Sequence, residues 1–131
     1  MQILQPPTWP KPKGYSNGIL TKGELIFVGG QIGWDETESF PSNDFAEQTG
    51  QALRNTLAIL NEAGASAENI VRMTWFITDK QEYLDSRKAL GQVYREIMGD
   101  HYPAMSMVQV VALMAKQAKV EIESTAVIPT E

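Results

Sequence analysis

A chain of 131 residues is the size of one domain and can bury about two thirds of its unfolded surface without a covalent staple. It has no cysteine and a single histidine, His101, which excludes disulfides, thiolate metal sites, cysteine nucleophiles and multi-histidine metal sites. Sixteen acidic and eleven basic residues, interspersed, give a net charge of -5 and a pI near 4.9, against the clustered positive charge that nucleic-acid binding requires.

The opening Met1-Gln2-Ile3-Leu4-Gln5-Pro6-Pro7 lacks the basic region and apolar run of a signal peptide. No apolar stretch approaches the roughly 20 residues that span a bilayer, so a soluble cytoplasmic protein is expected. Pro6, Pro7, Pro10 and Pro12 make residues 1–13 extended, either as an arm lying on the domain or as a loose leader. Residues 16–21 and 24–28 are β-prone runs around Lys22-Gly23, the pattern of a hairpin. The second run ends in Gly29-Gly30-Gln31-Ile32-Gly33, where paired glycines indicate a bulge or a close approach by backbone or ligand. The spacing is not G-x-G-x-x-G, so a phosphate cradle is not expected. Residues 34–43 read as an acidic, turn-rich loop.

From residue 44 to 63 the period becomes helical, with Phe45, Thr49, Ala52, Leu53, Thr56, Leu57 and Leu60 on one stripe. Asp44 and Glu47 have capping-box spacing, and Gly64 stands where a helix terminates. Residues 70–78 alternate as a strand. Asp79 and Glu82 repeat the capping spacing and open a second helix over 79–98, with Tyr83, Leu90, Tyr94 and Ile97 inward and Gly99 at its end. Two more strands are expected at 105–113, apolar on both faces apart from Ser106 and Gln109, and at 119–127, strictly alternating.

The order is β-β-α-β-α-β-β over one domain, residues 1–131, an α+β arrangement with two helices on one face of a mostly antiparallel sheet. Two helices cover one face only. The other would leave an apolar patch larger than monomers tolerate, which predicts self-association through it.

Four segments then resemble one family. They are Lys13-Gly14-Tyr15-Ser16, Ile26-Phe27-Val28-Gly29-Gly30-Gln31-Ile32, Glu47-Gln48-Thr49-Gly50-Gln51-Ala52-Leu53, and Tyr102-Pro103-Ala104-Met105-Ser106 leading to Val120-Glu121-Ile122-Glu123. In order and spacing, from about residue 12 to 127, the chain resembles the reactive-intermediate deaminase (Rid, or YjgF) family. The resemblance implies a chorismate-mutase-like fold and a homotrimer with pockets between subunits. It also implies hydrolysis of reactive enamines and imines such as 2-aminoacrylate, with no cofactor or metal. In the family an arginine holds the substrate carboxylate and a glutamate positions water. The glutamate corresponds to Glu121, allowing one extra residue in the loop near 114–117, and the family tyrosine to Tyr15.

Three positions depart from that pattern. Met105 stands where the family has its arginine, Gly29 replaces a serine, and Gly91 replaces an asparagine. Methionine cannot make the bidentate, charge-assisted bonds of arginine, whose loss weakens carboxylate recognition by about tenfold or more. Arg72 and Arg87 exist, but the sequence places neither in the pocket. A roomier, Met-lined site suits a bulkier or less anionic ligand.

Each candidate has a plainer reading beside it. Glu121, flanked by Val120 and Ile122, sits on a partly buried strand suited to proton transfer, or is solvated or paired with Lys119. Tyr15 is a pocket wall or a turn residue. Met105 and Met107 line a pocket or fill the trimer interface. His101 reads as a surface or capping residue, Ser16 and Ser106 as structural. Glu123 lies about 7 Å along the strand from Glu121, with nothing else suggesting a sugar cleft. The resulting expectation is a trimeric enamine/imine hydrolase acting on a small metabolite. The alternative is a non-catalytic trimeric binding or regulatory protein, and a ribonuclease ranks behind both.

Overall fold

The computed structural model describes residues 1–130. Asp44 accepts the Glu47 N–H at 3.0 Å and opens helix α1, Phe45–Asn61, satisfying one of the donors that a first turn leaves orphaned. Phe45, Thr49, Ala52, Leu53, Thr56 and Leu60 are buried along its inner stripe. The hydroxyls of Thr49 and Thr56 donate to the carbonyls of Phe45 and Ala52, both at 2.9 Å, so these polar residues enter the core satisfied.

The second helical region is capped by Asp79, which accepts from the N–H groups of Gln81 and Glu82 at 2.9 and 3.2 Å. It does not run unbroken over 79–98. Ser86 leaves helical geometry at φ -101° and ψ 4°, dividing it into α2, Lys80–Asp85, and α3, Arg87–Met98. Leu90 and Tyr94 are buried as expected, while Tyr83 and Ile97 are half-buried.

The strands β3 (Gly23–Ile32), β4 (Ile70–Ile77), β5 (Ala104–Gln109) and β6 (Val120–Pro129) form one sheet in the order β3-β6-β4-β5. β6 runs antiparallel to both neighbours, and β5 runs parallel to β4. The parallel pair is joined through α2 and α3, the long crossover that such a pair needs. The last strand alternates as expected: Val120, Ile122, Ser124 and Ala126 are buried against the helices. β5 is shorter than 105–113, with residues 110–113 beyond its end.

The expected hairpin does not form. β2, Gly18–Leu20, pairs antiparallel with β1, Gln2–Leu4, in a separate ribbon, and β3 pairs with β6 instead. Gly23 has φ +152°, and a Cβ there would lie 2.0 Å from the Ile128 carbonyl oxygen. That glycine therefore serves the close passage of β6 rather than a two-residue turn.

Helix α1 lies over β3 and β6, and α3 leans on α1 rather than on the sheet. Gly50 permits this, since a Cβ there would come within 2.9 Å of Val93 Cγ1. The core accordingly centres on Leu53, Leu60, Ile70, Met73, Val120 and Ile122, all 0% exposed. The opposite face of the sheet carries no helix, and Leu25, Phe27 and Val108 are 60%, 74% and 44% exposed. The bare apolar face is therefore built chiefly by β3 and the far side of β5, while Met105 and Met107 face the helices.

Candidate functional site

Because α3 leans toward α1, the β4–β5 end of the sheet is left partly uncovered on its helix face. A cavity of about 870 Å3 opens there, walled by α2 and α3 and floored by Trp75, Ile77, Met105 and Met107. Two tethers define its rim. The Lys80 N–H donates to Gln109 Oε1 at 2.6 Å, holding the start of α2 to the end of β5. The Ser16 N–H donates to the Pro103 carbonyl at 3.0 Å while its hydroxyl donates to the Tyr102 carbonyl, and this fixes the neighbouring Tyr15 at the cavity mouth. Ser16 is structural, as its sequence context indicates.

Four of the six sequence candidates thus meet in one place: Tyr15, Gly91, Met105 and Met107 all line this cavity. Gly91 adds no side chain to that lining. The Arg95 guanidinium lies over it, with Nη1 3.3 Å from where a Cβ would stand. Arg87 also lines the cavity, as do Lys13 and Lys80, whereas Arg72 lies away on the bare face. Sequence reasoning passed over Arg95, although its i+4 spacing from Gly91 on a helix was a legible signal.

Aromatic packing stiffens the wall. Tyr94 stacks on Tyr102 with ring centroids 5.2 Å apart, and its hydroxyl donates to the His101 carbonyl at 2.6 Å. Burial, with Tyr102 beside it, pushes the Tyr94 phenol well above the usual range, so it remains a neutral donor. His101 has a ring nitrogen 2.6 Å from the Ile70 carbonyl, a structural tie to β4. Trp75 is 2% exposed, and its indole N–H has no partner among the described residues.

Glu121 and Gly29 stand elsewhere. Glu121 projects from β6 to the bare face, between Ile32 on β3 and Phe76 on β4. Its carboxylate passes over Gly30, where a Cβ would approach Oε2 to 2.6 Å, so the glycine bulge makes room for it. Gly29 lines a shallow hollow of about 350 Å3 with Phe27, Arg72, Thr74 and Glu123. Lys119 does not neutralise Glu121, because its Nζ is engaged by Glu82 Oε2 at 2.6 Å. The start of β6 is held by Gln48, 1% exposed, which accepts from the Lys119 N–H at 2.9 Å and donates to the Gln117 carbonyl at 3.0 Å. This clamp, invisible to a periodicity reading, sets the strand from which Glu121 projects. Among the described residues no group of acids and histidine could hold a metal, and no helix is long and apolar enough to cross a membrane.

The fold and the site define a class: a small α+β protein whose chemistry-bearing groups are divided between a cavity beneath its helices and the bare face of its sheet. The chain belongs to the Rid/YjgF family, its residues 9–128 matching the family model described as endoribonuclease L-PSP. It is 36% identical over 118 residues to a RutC family protein of Pyrococcus abyssi, covering 89% of each chain. It is 30% identical over 128 residues to a 2-iminobutanoate/2-iminopropanoate deaminase of Dermatophagoides farinae, covering 97% of this chain and 96% of the relative. The crystal structure of a Rid-family protein of unknown function from Yersinia pestis superposes with a TM-score of 0.84 at 26% identity, over 97% and 98% of the two chains. The architecture is the chorismate-mutase-like α+β fold of that family.

Proposed function

We propose that this protein is an enamine/imine deaminase-like hydrolase that works as a cytoplasmic homotrimer, releasing ammonia from a small reactive metabolite. The observation that carries this reading is the division of the site. Glu121 lies on the sheet face opposite the cavity that holds Tyr15, Gly91, Met105 and Met107, so no single chain brings them together. A neighbour whose cavity meets this face would. Exposed Leu25 and Phe27 supply the apolar surface for that contact.

In this reading the enamine tautomerises to an imine, whose carbon is already electrophilic. Glu121 from the adjoining subunit orients a water and accepts its proton as the C–O bond forms. Glu121 then returns that proton to the carbinolamine nitrogen, which leaves as ammonia while the hydroxyl gives up its proton to solvent and becomes the carbonyl, chemistry that calls for neither metal nor cofactor. Generating imines with an amino-acid oxidase and following keto-acid formation tests the reaction. Acceleration lost in Glu121→Ala supports it, and equal rates for the variant and the native protein remove Glu121 from the mechanism. Sedimentation of a stable monomer at micromolar concentration defeats the composite site. One observation favours the second reading, a non-catalytic trimeric binding protein: Met105 removes the arginine on which the family's carboxylate recognition depends. Keto-acid binding without acceleration is its signature.

A further inference from the structure

We propose that the cavity has its own carboxylate anchor, the Arg95 guanidinium seated over Gly91, and that it selects 2-imino and 2-oxo acids bearing an aromatic or long apolar side chain. The imino or oxo group rests on the reading above. The anion and the apolar body come from the cavity itself.

The charge distribution is the first support. The chain has sixteen acidic and eleven basic residues, yet the cavity lining includes four of the basic ones, Lys13, Lys80, Arg87 and Arg95, and no acid. The one ion pair among the described residues joins Lys119 to Glu82, so all four cations lack a carboxylate partner there. All four are solvent-exposed, so they stand around the rim of the cavity and draw organic anions toward its mouth.

The second support is the seat. The Arg95 side chain folds back along α3 over Gly91, with Nη1 3.3 Å from where a Cβ would stand. Arg87 is less free, since its Nε donates to the Leu84 carbonyl at 3.2 Å.

Size and lining give the rest of the ligand. In the single chain the cavity holds about 870 Å3, near the upper end of the roughly 300–1,000 Å3 that accommodates drug-sized ligands. The adjoining subunit's face takes part of that space in the proposed trimer, and the remainder is lined mainly by apolar side chains. Tyr83, Leu84, Leu90, Met105 and Met107 offer an apolar, adaptable wall to a ring or long chain.

Isothermal titration of the intact protein with phenylpyruvate and with pyruvate tests this without relying on turnover. Phenylpyruvate is expected to bind at least tenfold more tightly than pyruvate. Arg95→Gln should weaken phenylpyruvate binding by about 10- to 100-fold, and Arg95→Lys by less, because charge remains while the fork is lost. Arg95 is also the basic residue of the last turn of α3, where it complements the helix dipole. If that is its whole role, Arg95→Gln lowers the melting temperature and leaves the dissociation constant unchanged, which overturns the proposal. Equal affinity for the two acids overturns it as well. Tight, Arg95-dependent binding with no keto-acid formation from the phenylalanine imine sustains the anchor and defeats the hydrolase. Turnover that is lost in Glu121→Gln but indifferent to Arg95 does the reverse.

Discussion

The two ends of the sheet's helix face are built from similar strands, yet one is filled and the other hollow. Over β3 and β6, α1 is a single 17-residue helix whose small and apolar inner residues reach 0% exposure at Ala52, Leu53 and Leu60. Over β4 and β5 the corresponding helix is broken at Ser86, and its longer part is drawn toward α1 by the Gly50–Val93 contact. The filled end holds the fold together; the hollow end provides the cavity. The cavity arises where a helix fails to lie over the strands.

That contrast predicts unequal responses to truncation. Leu53→Ala at the filled end should destabilise the protein by about 2–5 kcal/mol in denaturant unfolding, because it opens a cavity in closed packing. Leu84→Ala at the hollow end should be much less damaging, since its side chain already borders open space; equal losses would erase the distinction. Gln48→Ala should destabilise by roughly 1–3 kcal/mol, leaving the Lys119 N–H and the Gln117 carbonyl unpaired. In the same variant Glu121-dependent turnover should fall, because the strand that carries Glu121 loses its clamp.

A pH measurement sharpens the comparison further. Burial raises the Tyr94 phenol, so above about pH 10 the unfolded chain releases a proton that the folded one keeps. Stability is thus fully present below the unfolded value and should decline above it by up to about 1.4 kcal/mol per pH unit. Tyr94→Phe should flatten that part of the profile. The smallest effect is expected from Lys119→Ala: the pair with Glu82 has side chains 30% and 31% exposed, and its loss should remain below about 1 kcal/mol.

Much of the architecture could be read along the chain because it depends on neighbours three and four residues apart, or two apart in strands. The stripe from Phe45 to Leu60, the caps at Asp44 and Asp79 and the alternation of β6 are local patterns of this kind. The hairpin expectation failed for the converse reason. Lys22-Gly23 carries a turn signal, but the requirement at Gly23 comes from Ile128, more than a hundred residues away. The break at Ser86 was equally hidden, since the apolar spacing continues across it.

By itself, the sequence determined the α+β class, the helix faces, the exclusion of thiol and multi-histidine chemistry, and membership of a family through segments held in register. Only the tertiary structure decided that Tyr15, Gly91, Met105 and Met107 share a cavity, that Glu121 and Gly29 lie across the sheet from it, and that four cations with no acid surround it. Periodicity fixes which side of an element turns inward. Which inward sides meet, and where they leave a gap, depends on the lean of one helix against another, and that is set by contacts such as Gly50 with Val93 between residues far apart in the chain.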